Sequence, residues 1–438
     1  MSRPFHFTVF GATGLTGKQI VRHIFELSNN LPHFFPQGFC WAIAGRQQEG
    51  LEKVLAEMMT EFPETKLELP TLLIANVTQK GTLDSMAQQT KVLINAVGPF
   101  RFMGEYVVRS CVEQGCNYVD VTGETEFVER MQRTYHDQAV SKQVVIVHAC
   151  GFDSIPTDMG VLYTKSLYTK HGWHPSQIEM FLKVHTGPSG LRGGYATFES
   201  AVHGFGSVEL LREIRKASNL KKLPYPEGQK LKFHKHVTYD QELGYHVPFM
   251  FADPSIVRLS QQLFLTGYAD TPKKKPDVVL PPTVQFAGYL LLPSLYAVIL
   301  FVIYGYIFSF LAGSPWGRNL LLSRPELFSG GLFSKEHPTQ EQLNQTSFEV
   351  ILRSKGYDHA LTPGHSVPPN KTIKVVVRGP ELGYVATPRL VVQAAFAILN
   401  NKDQGYVPNG VLTPSTAFWE TDILEKLRYV GITCDISY

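Results

Sequence analysis

The chain has 438 residues, more than one hydrophobic core usually supports, so two domains are expected. A formal net charge of +3 is too mild a surplus for a nucleic-acid surface, and no nucleic-acid partner is expected. Five cysteines, Cys40, Cys111, Cys116, Cys150 and Cys434, include no CxxC pair, which points to reduced thiols and to no metal centre.

The opening residues, MSRPFHFTVF, enter a strand at once and carry no secretory or transit pattern. A catalytic part facing the cytosol is expected, or a mitochondrial one reached without a recognisable presequence. Residues 7–17, FTVFGATGLTG, run an apolar strand directly into glycines at 11, 14 and 17, and a helix with Ile20, Val21, Ile24 and Phe25 on one face follows. Gly11 permits the turn, Gly14 lets the backbone approach a pyrophosphate, and Gly17 lets helix and strand pack closely. The spacing is GxxGxxG, a variant of the dinucleotide fingerprint. Gly11, Ala12, Thr13, Gly14, Leu15, Thr16 and Gly17 are therefore the expected phosphate turn.

A Pro/Gly/Asn-rich loop, 28–38, leads to a second strand, 39–44, that ends at Gly45 and Arg46. A carboxylate at this point would bind a ribose 2′-hydroxyl, whereas an arginine accommodates a 2′-phosphate, so Arg46 predicts NADPH over NAD. The alternative is an arginine that merely caps a solvent-facing turn. Strands follow at 72–77, 92–97, 118–121 and 144–147, with helices between them. The fourth opens into NAVGPF, which places Asn95, Gly98 and Pro99 at the carboxyl edge of the sheet as nicotinamide-side neighbours. This alternation predicts an α/β fold with a Rossmann-like, doubly wound parallel sheet over residues 1–160.

GATGLTG, AGR at 44–46, NAVGPF, YVDVTGE at 118–124, GFDSIPTDMG at 151–160, GPELGYVATP from Gly379 and GVLTPSTAF from Gly410 together resemble the saccharopine dehydrogenase family. The matches run in order along nearly the whole chain. That family also includes bacterial trans-acting enoyl reductases of glycolipid biosynthesis, so the resemblance implies NAD(P)-dependent redox chemistry without fixing a reaction. It also implies lipid-droplet association. Asn76 stands where relatives commonly have an Asp near the adenine, and Ala196 where a Gly usually precedes Thr197.

No YxxxK pair occurs, which excludes the Tyr/Lys mechanism of short-chain dehydrogenases; GxSxG and HExxH are also absent. Hydride transfer requires chiefly an oriented nicotinamide and a proton donor within reach. The candidates for catalytic roles are Arg101, Tyr118, Asp153, Ser154 and Asp158, with Glu105, Asp120 and Glu124 nearby in sequence. Asp153 and Asp158 read equally well as carboxylates at a helix amino end. Tyr118 reads also as packing, and His148 as a satisfied core residue.

Residues 161–380 are expected to form an inserted α+β substrate domain with an antiparallel sheet that includes strands at 178–186, 348–353 and 373–378. A helix is expected over 196–218, where Thr197 and Ser200 could face a substrate. The lysine-rich stretch 221–236 reads as a solvated loop, or as a patch for anionic lipid. Residues 381–438 are expected to return to the dinucleotide domain.

Between Asp277 and Arg318 no Asp, Glu, Lys or Arg occurs. Residues 278–317, with a core at 284–312, form an uncharged hydrophobic membrane-associating segment, or alternatively a helix hidden in a dimer or domain core. One complete crossing would separate the later strands from the domain they must join. Lys273 to Lys275 on one side, Arg318 and Arg324 on the other, and the break at Pro293 predict a hydrophobic hairpin or interfacial insertion. The expected function is an NAD(P)H-dependent oxidoreductase at a lipid surface, acting on a small-molecule, lipid-linked or acyl substrate. The alternative is a catalytically silent, cofactor-binding scaffold of droplets or membranes. A homodimer would suit the apolar segment if no lipid covers it.

Overall fold

The structure, a computed structural model, describes residues 3–205, 207–273 and 279–437. Lys274, Lys275, Asp277 and Val278, parts of the basic flank and of the start of the uncharged stretch, lie outside the described residues. The chain divides into two compact units. The first comprises 3–152, 268–273 and 383–430, and the second comprises 153–205, 207–267, 279–382 and 431–437.

In the first unit, strand and helix alternate: β1 Phe5–Phe10, α1 Leu15–Asn30, β2 Trp41–Gly45, α2 Gln48–Glu61, β3 Thr71–Ile74, α3 Lys80–Gln89, β4 Thr90–Asn95, α4 Phe100–Gln114, β5 Asn117–Asp120, α5 Thr125–Ser141 and β6 Val145–Val147. The sheet runs β3, β2, β1, β4, β5, β6 and then a seventh strand, Gly410–Leu412, and every pairing is parallel. A reversal of strand order between β1 and β4 is the doubly wound arrangement that the sequence predicts. Apolar runs such as VLI in β4 are buried on both sides, as parallel strands covered by helices require. Helices α1, α2 and Thr387–Asn401 lie over one face, and α3, α4 and α5 over the other. β2 begins at Trp41 and not at Phe39, because Phe39 leaves the ladder to pack its ring on Phe7 and Phe35.

The first unit ends earlier than residue 160. Asp153 already belongs to the second unit, whose first helix is Ile155–Lys170. Conversely, Tyr268 stacks on His136 at 3.8 Å, and Trp419 donates to the carbonyl of Ala269, which ties residues 268–273 into the first unit.

The second unit has a seven-stranded sheet in the order Thr433–Ile436, Lys371–Pro380, Ser347–Tyr357, His174–His185, Gln285–Leu292, Gly244–Pro248, Thr238–Asp240. It is mixed, because Gln285–Leu292 runs parallel to His174–His185 while the other pairs are antiparallel. Residues 431–437 belong here and not with the dinucleotide unit. The single helix expected over 196–218 is two, Tyr195–Phe205 and Val208–Lys216, in a sequence where glycines and a serine interrupt the apolar pattern.

The hairpin expectation is corrected in its first arm. Gln285–Leu292 is not a membrane segment but an interior strand that buries Ala287, Tyr289 and Leu291 against Phe181, Ile351 and Val376. Leu295–Ala312 is the long apolar helix of this stretch, capped by Ser294, whose hydroxyl accepts from the amide of Ala297 at 3.2 Å. A second apolar helical run, Leu382–Asn401, is mostly buried in the protein.

Candidate functional site

The site is built at the carboxyl edge of the first unit's sheet. β1 ends in Gly11, whose φ of +88° suits glycine and whose Cα faces Val97 and Ala96 so closely that a side chain would clash. The amides of Gly11 and Ala12 both donate to the carbonyl of Ala44, at 2.9 and 3.2 Å, which locks the turn against β2. Gly14 is the N-cap of α1 and offers no side chain to cap it. The first amides of that helix therefore remain available to an anion, with the positive end of the helix behind them. Thr13 and Gly14 are exposed and Leu15 and Thr16 partly so, whereas Ala12 and Gly17 are buried supports.

Arg46 lies immediately after β2, exposed, with no ion pair or hydrogen bond among the described residues. Thr13 packs its methyl against Gly45 and Gly50, which brings the phosphate turn and the end of β2 together. No carboxylate stands in that position to compete for a ribose. A NADP phosphate set fits this cradle: helix amides for the diphosphate and an unpaired guanidinium for the 2′-phosphate.

Asn95 ends β4, and its side chain is committed. Its amide donates to the Tyr118 hydroxyl at 3.0 Å, and its carbonyl accepts from the amide of Val97 at 3.0 Å. Gly98 and Pro99 follow, and Pro99 is the N-cap of α4. The carboxylate of Glu124 supplies the missing cap, accepting from the amides of Phe100 and Arg101 at 3.0 Å each.

Tyr118 is fully buried and donates to Asp120 at 2.9 Å. Burial, and then the neighbouring Asp120 carboxylate, push the Tyr118 phenol well above its usual range. Asp120 also accepts from His148 Nδ1 at 2.7 Å, from the amide of Ala149 at 2.9 Å and from the amide of Thr122 at 3.2 Å. These bonds hold the exit of β6, where Ala149 adopts a φ of +59°. Arg101 is likewise buried, with Glu124 and Glu126 both 3.5 Å from its guanidinium. Arg130 continues the network by pairing with Glu126 at 2.7 Å and with Glu105, so Glu105 is not a free group.

Asp153, Ser154 and Asp158 open the second unit. The Ser154 hydroxyl donates to the carbonyl of Asp153 at 2.5 Å and does not cap the helix that follows. Asp158 is buried and accepts from Ser260 at 2.9 Å, which ties the helix Ile155–Lys170 to the helix Asp253–Thr266. Asp153 is partly buried, and burial pushes its carboxyl up to about 6. Two groups of this cluster carry no marked sequence pattern: Asp253, whose carboxyl burial pushes far up, and Lys165, whose ammonium burial pulls down to about 7. Asp253-Pro254 is nevertheless a recognisable helix start.

The family model for the saccharopine dehydrogenase NADP-binding domain matches residues 7–147. Over 443 aligned residues the chain is 39% identical to the saccharopine dehydrogenase-like oxidoreductase of Homo sapiens, covering 98% of this chain and 96% of that protein. The chain belongs to the saccharopine dehydrogenase-like oxidoreductases. Its first unit is the family's NADP-binding domain. A member from Caenorhabditis elegans named lipid droplet localized protein is 31% identical, over 100% of this chain and 99% of that one. Apo saccharopine dehydrogenase (L-Glu forming) from Saccharomyces cerevisiae shares the fold, with a TM-score of 0.54 and 10% identity over 99% of both chains.

Proposed function

We propose that this family member is an NADPH-dependent oxidoreductase that works at a lipid surface on a lipid-linked or acyl substrate. Bound NADPH supplies the hydride; the phosphate turn Gly11–Gly17 and Arg46 hold the coenzyme, and the end of β4 from Asn95 to Pro99 borders its nicotinamide half. Asp153 is the candidate proton donor, because burial raises its carboxyl to about 6 and so keeps a protonated fraction available near neutral pH. Tyr118 and Arg101 serve as positioning groups, since each is buried against carboxylates. Saccharopine, with three carboxylates, ranks low as a substrate: Arg101, the one arginine in the family-like segments suited to receive it, is already engaged by Glu124 and Glu126.

The observation that carries the lipid reading is the helix Leu295–Ala312. Of its eighteen residues only Val298, Leu311 and Ala312 are buried. Leu295, Tyr296, Ile299, Ile303, Tyr306, Ile307 and Phe310 form an exposed stripe with the three-and-four spacing of one helix face, Phe310 being 82% exposed. Its other side packs on Phe198, Val202 and Leu321 of the same unit. A helix seated on its own domain by one face suits insertion in the plane of a monolayer better than a crossing. The worm relative's name gives this reading its biological counterpart.

The test is flotation of the purified chain with triacylglycerol droplets coated in phosphatidylcholine, comparing wild type with Ile303→Asp/Ile307→Asp. Wild type should float and the double variant should stay in solution with unchanged NADPH binding; equal flotation would sink the lipid assignment. The scaffold reading is favoured by the mutual commitment of Arg101, Glu124, Tyr118 and Asp120, which leaves few free groups at that edge. It predicts NADPH binding without oxidation in the presence of droplet lipids and acyl substrates.

A further inference from the structure

The stretch Lys221–His236, read from the sequence as a loop, lies on the second unit's sheet without joining its ladders. Side chains of the sheet hold its backbone. The amide of Gln229 donates to Tyr357 Oη at 2.9 Å, that of Leu231 to Gln285 Oε1 at 2.7 Å, and that of His234 to Tyr289 Oη at 3.1 Å. Phe233 stacks on the ring of Tyr289 at 5.8 Å. At the far end, His234 Nδ1 stands 3.0 Å from Nε2 of His246, a fully buried residue of the strand Gly244–Pro248.

A nitrogen–nitrogen contact of 3.0 Å needs one N–H and one lone pair, whichever ring carries the bridging proton. When both rings are charged, both nitrogens are donors and two cations face one another. We propose that Phe233–His236 is a proton-operated cover, closed over the aromatic sheet face while His234 and His246 share one bridging proton and lifted when both are protonated. The uncovered surface is the one formed by Phe181, Tyr289 and Leu291, and the lifted segment carries Lys235.

The charges around the pair leave this pairing dominant. Glu179 and Asp240 are the nearby carboxylates and favour a charged His246, but both are engaged by Arg353, at 3.4 and 2.8 Å. The Arg353 guanidinium itself lies over the ring of Phe181 at 4.9 Å. Tyr289 flanks both imidazoles, at 4.9 Å from His246 and 5.5 Å from His234. Lys232 and Lys235 on the segment are exposed. Burial holds the His246 imidazole below its usual 6.5; the carbonyl of Gly244 opposes this, and the His234 ring reinforces it. A folded value below the unfolded one means that the closed state is favoured above 6.5 and loses that advantage as pH falls.

Amide hydrogen exchange of the full chain at pH 7.5, 6.5 and 5.5, corrected for intrinsic rates, tests the cover. Protection within 233–236 should fall by about tenfold or more at the lowest pH, while the strands His174–His185 and Ser347–Tyr357 keep theirs. His234→Gln retains a neutral hydrogen-bonding side chain and should make the segment's protection independent of pH. If that variant does not fold, His246→Gln carries the same expectation. An unchanged wild-type segment, a pH response that survives the substitution, or a loss shared by the two strands would each overturn the proposal.

Discussion

A β-carbon built on Gly17 would stand 2.0 Å from the carbonyl oxygen of Gly11. Contact this close between the first turn of α1 and the end of β1 leaves no room even for a methyl. Gly17→Ala should therefore displace the whole phosphate turn, destabilising the unit by about 1–3 kcal/mol and weakening NADPH binding. Paired thermal melts and coenzyme fluorescence titrations would check both effects; an alanine variant with wild-type affinity would contradict the geometry.

Arg46→Asp tests coenzyme choice. Loss of one charge-assisted contact to the 2′-phosphate, worth about 1.5–3 kcal/mol, corresponds to roughly 10- to 100-fold weaker NADPH binding. Affinity for NADH should hold or improve, since a carboxylate at this point suits a ribose hydroxyl. Equal losses for the two coenzymes would assign Arg46 to the fold.

Tyr118→Phe should lower stability by about 1–3 kcal/mol, because Asp120 and Asn95 would each lose a buried partner. Turnover with any substrate should keep the wild-type pH profile. A lost basic limb would instead restore Tyr118 as the proton donor.

Glu124→Gln probes the cap on α4. One carboxylate serves two amides and the Arg101 guanidinium, and the amide side chain can replace only part of that, so a cost of about 1–3 kcal/mol is expected. The measurable sign is a drop in denaturation midpoint at constant m-value.

Asp153 gives a pH signature with a definite sign. Its folded carboxyl titrates near 6 against an ordinary 3.8, so the folded state binds the extra proton between those values. Stability from this group is full below 3.8 and is lost as pH rises through about 6. Asp153→Asn should raise the melting midpoint relative to wild type at pH 7.5 and leave it little changed at pH 4. If Asp153 is the proton donor, the same variant removes the limb near pH 6 from the rate profile.

The dinucleotide unit was legible because its signals are local. An apolar strand, three glycines in one turn and an arginine at the next strand end each act through the backbone segment that carries them. The commitments of Asn95, Arg101 and Tyr118 are not legible, because each depends on a partner elsewhere in sequence: Asn95 and Tyr118 on each other, and Arg101 on Glu126. The strand Gln285–Leu292 reads as part of a membrane segment for a different reason. An interior strand and a lipid-facing helix are both continuous apolar runs, and periodicity alone does not separate them when they are adjacent. The parallel pairing with His174–His185 decides the matter, and no residue in the run announces it.

Only Pro293 and Ser294 connect that interior strand to the exposed helix. Two residues of slack reach at most about 7 Å, so the helix cannot swing away on a tether. The exposed stripe is consequently best altered by replacing its residues with polar side chains, because excising residues 281–314 would pull a stave out of the sheet.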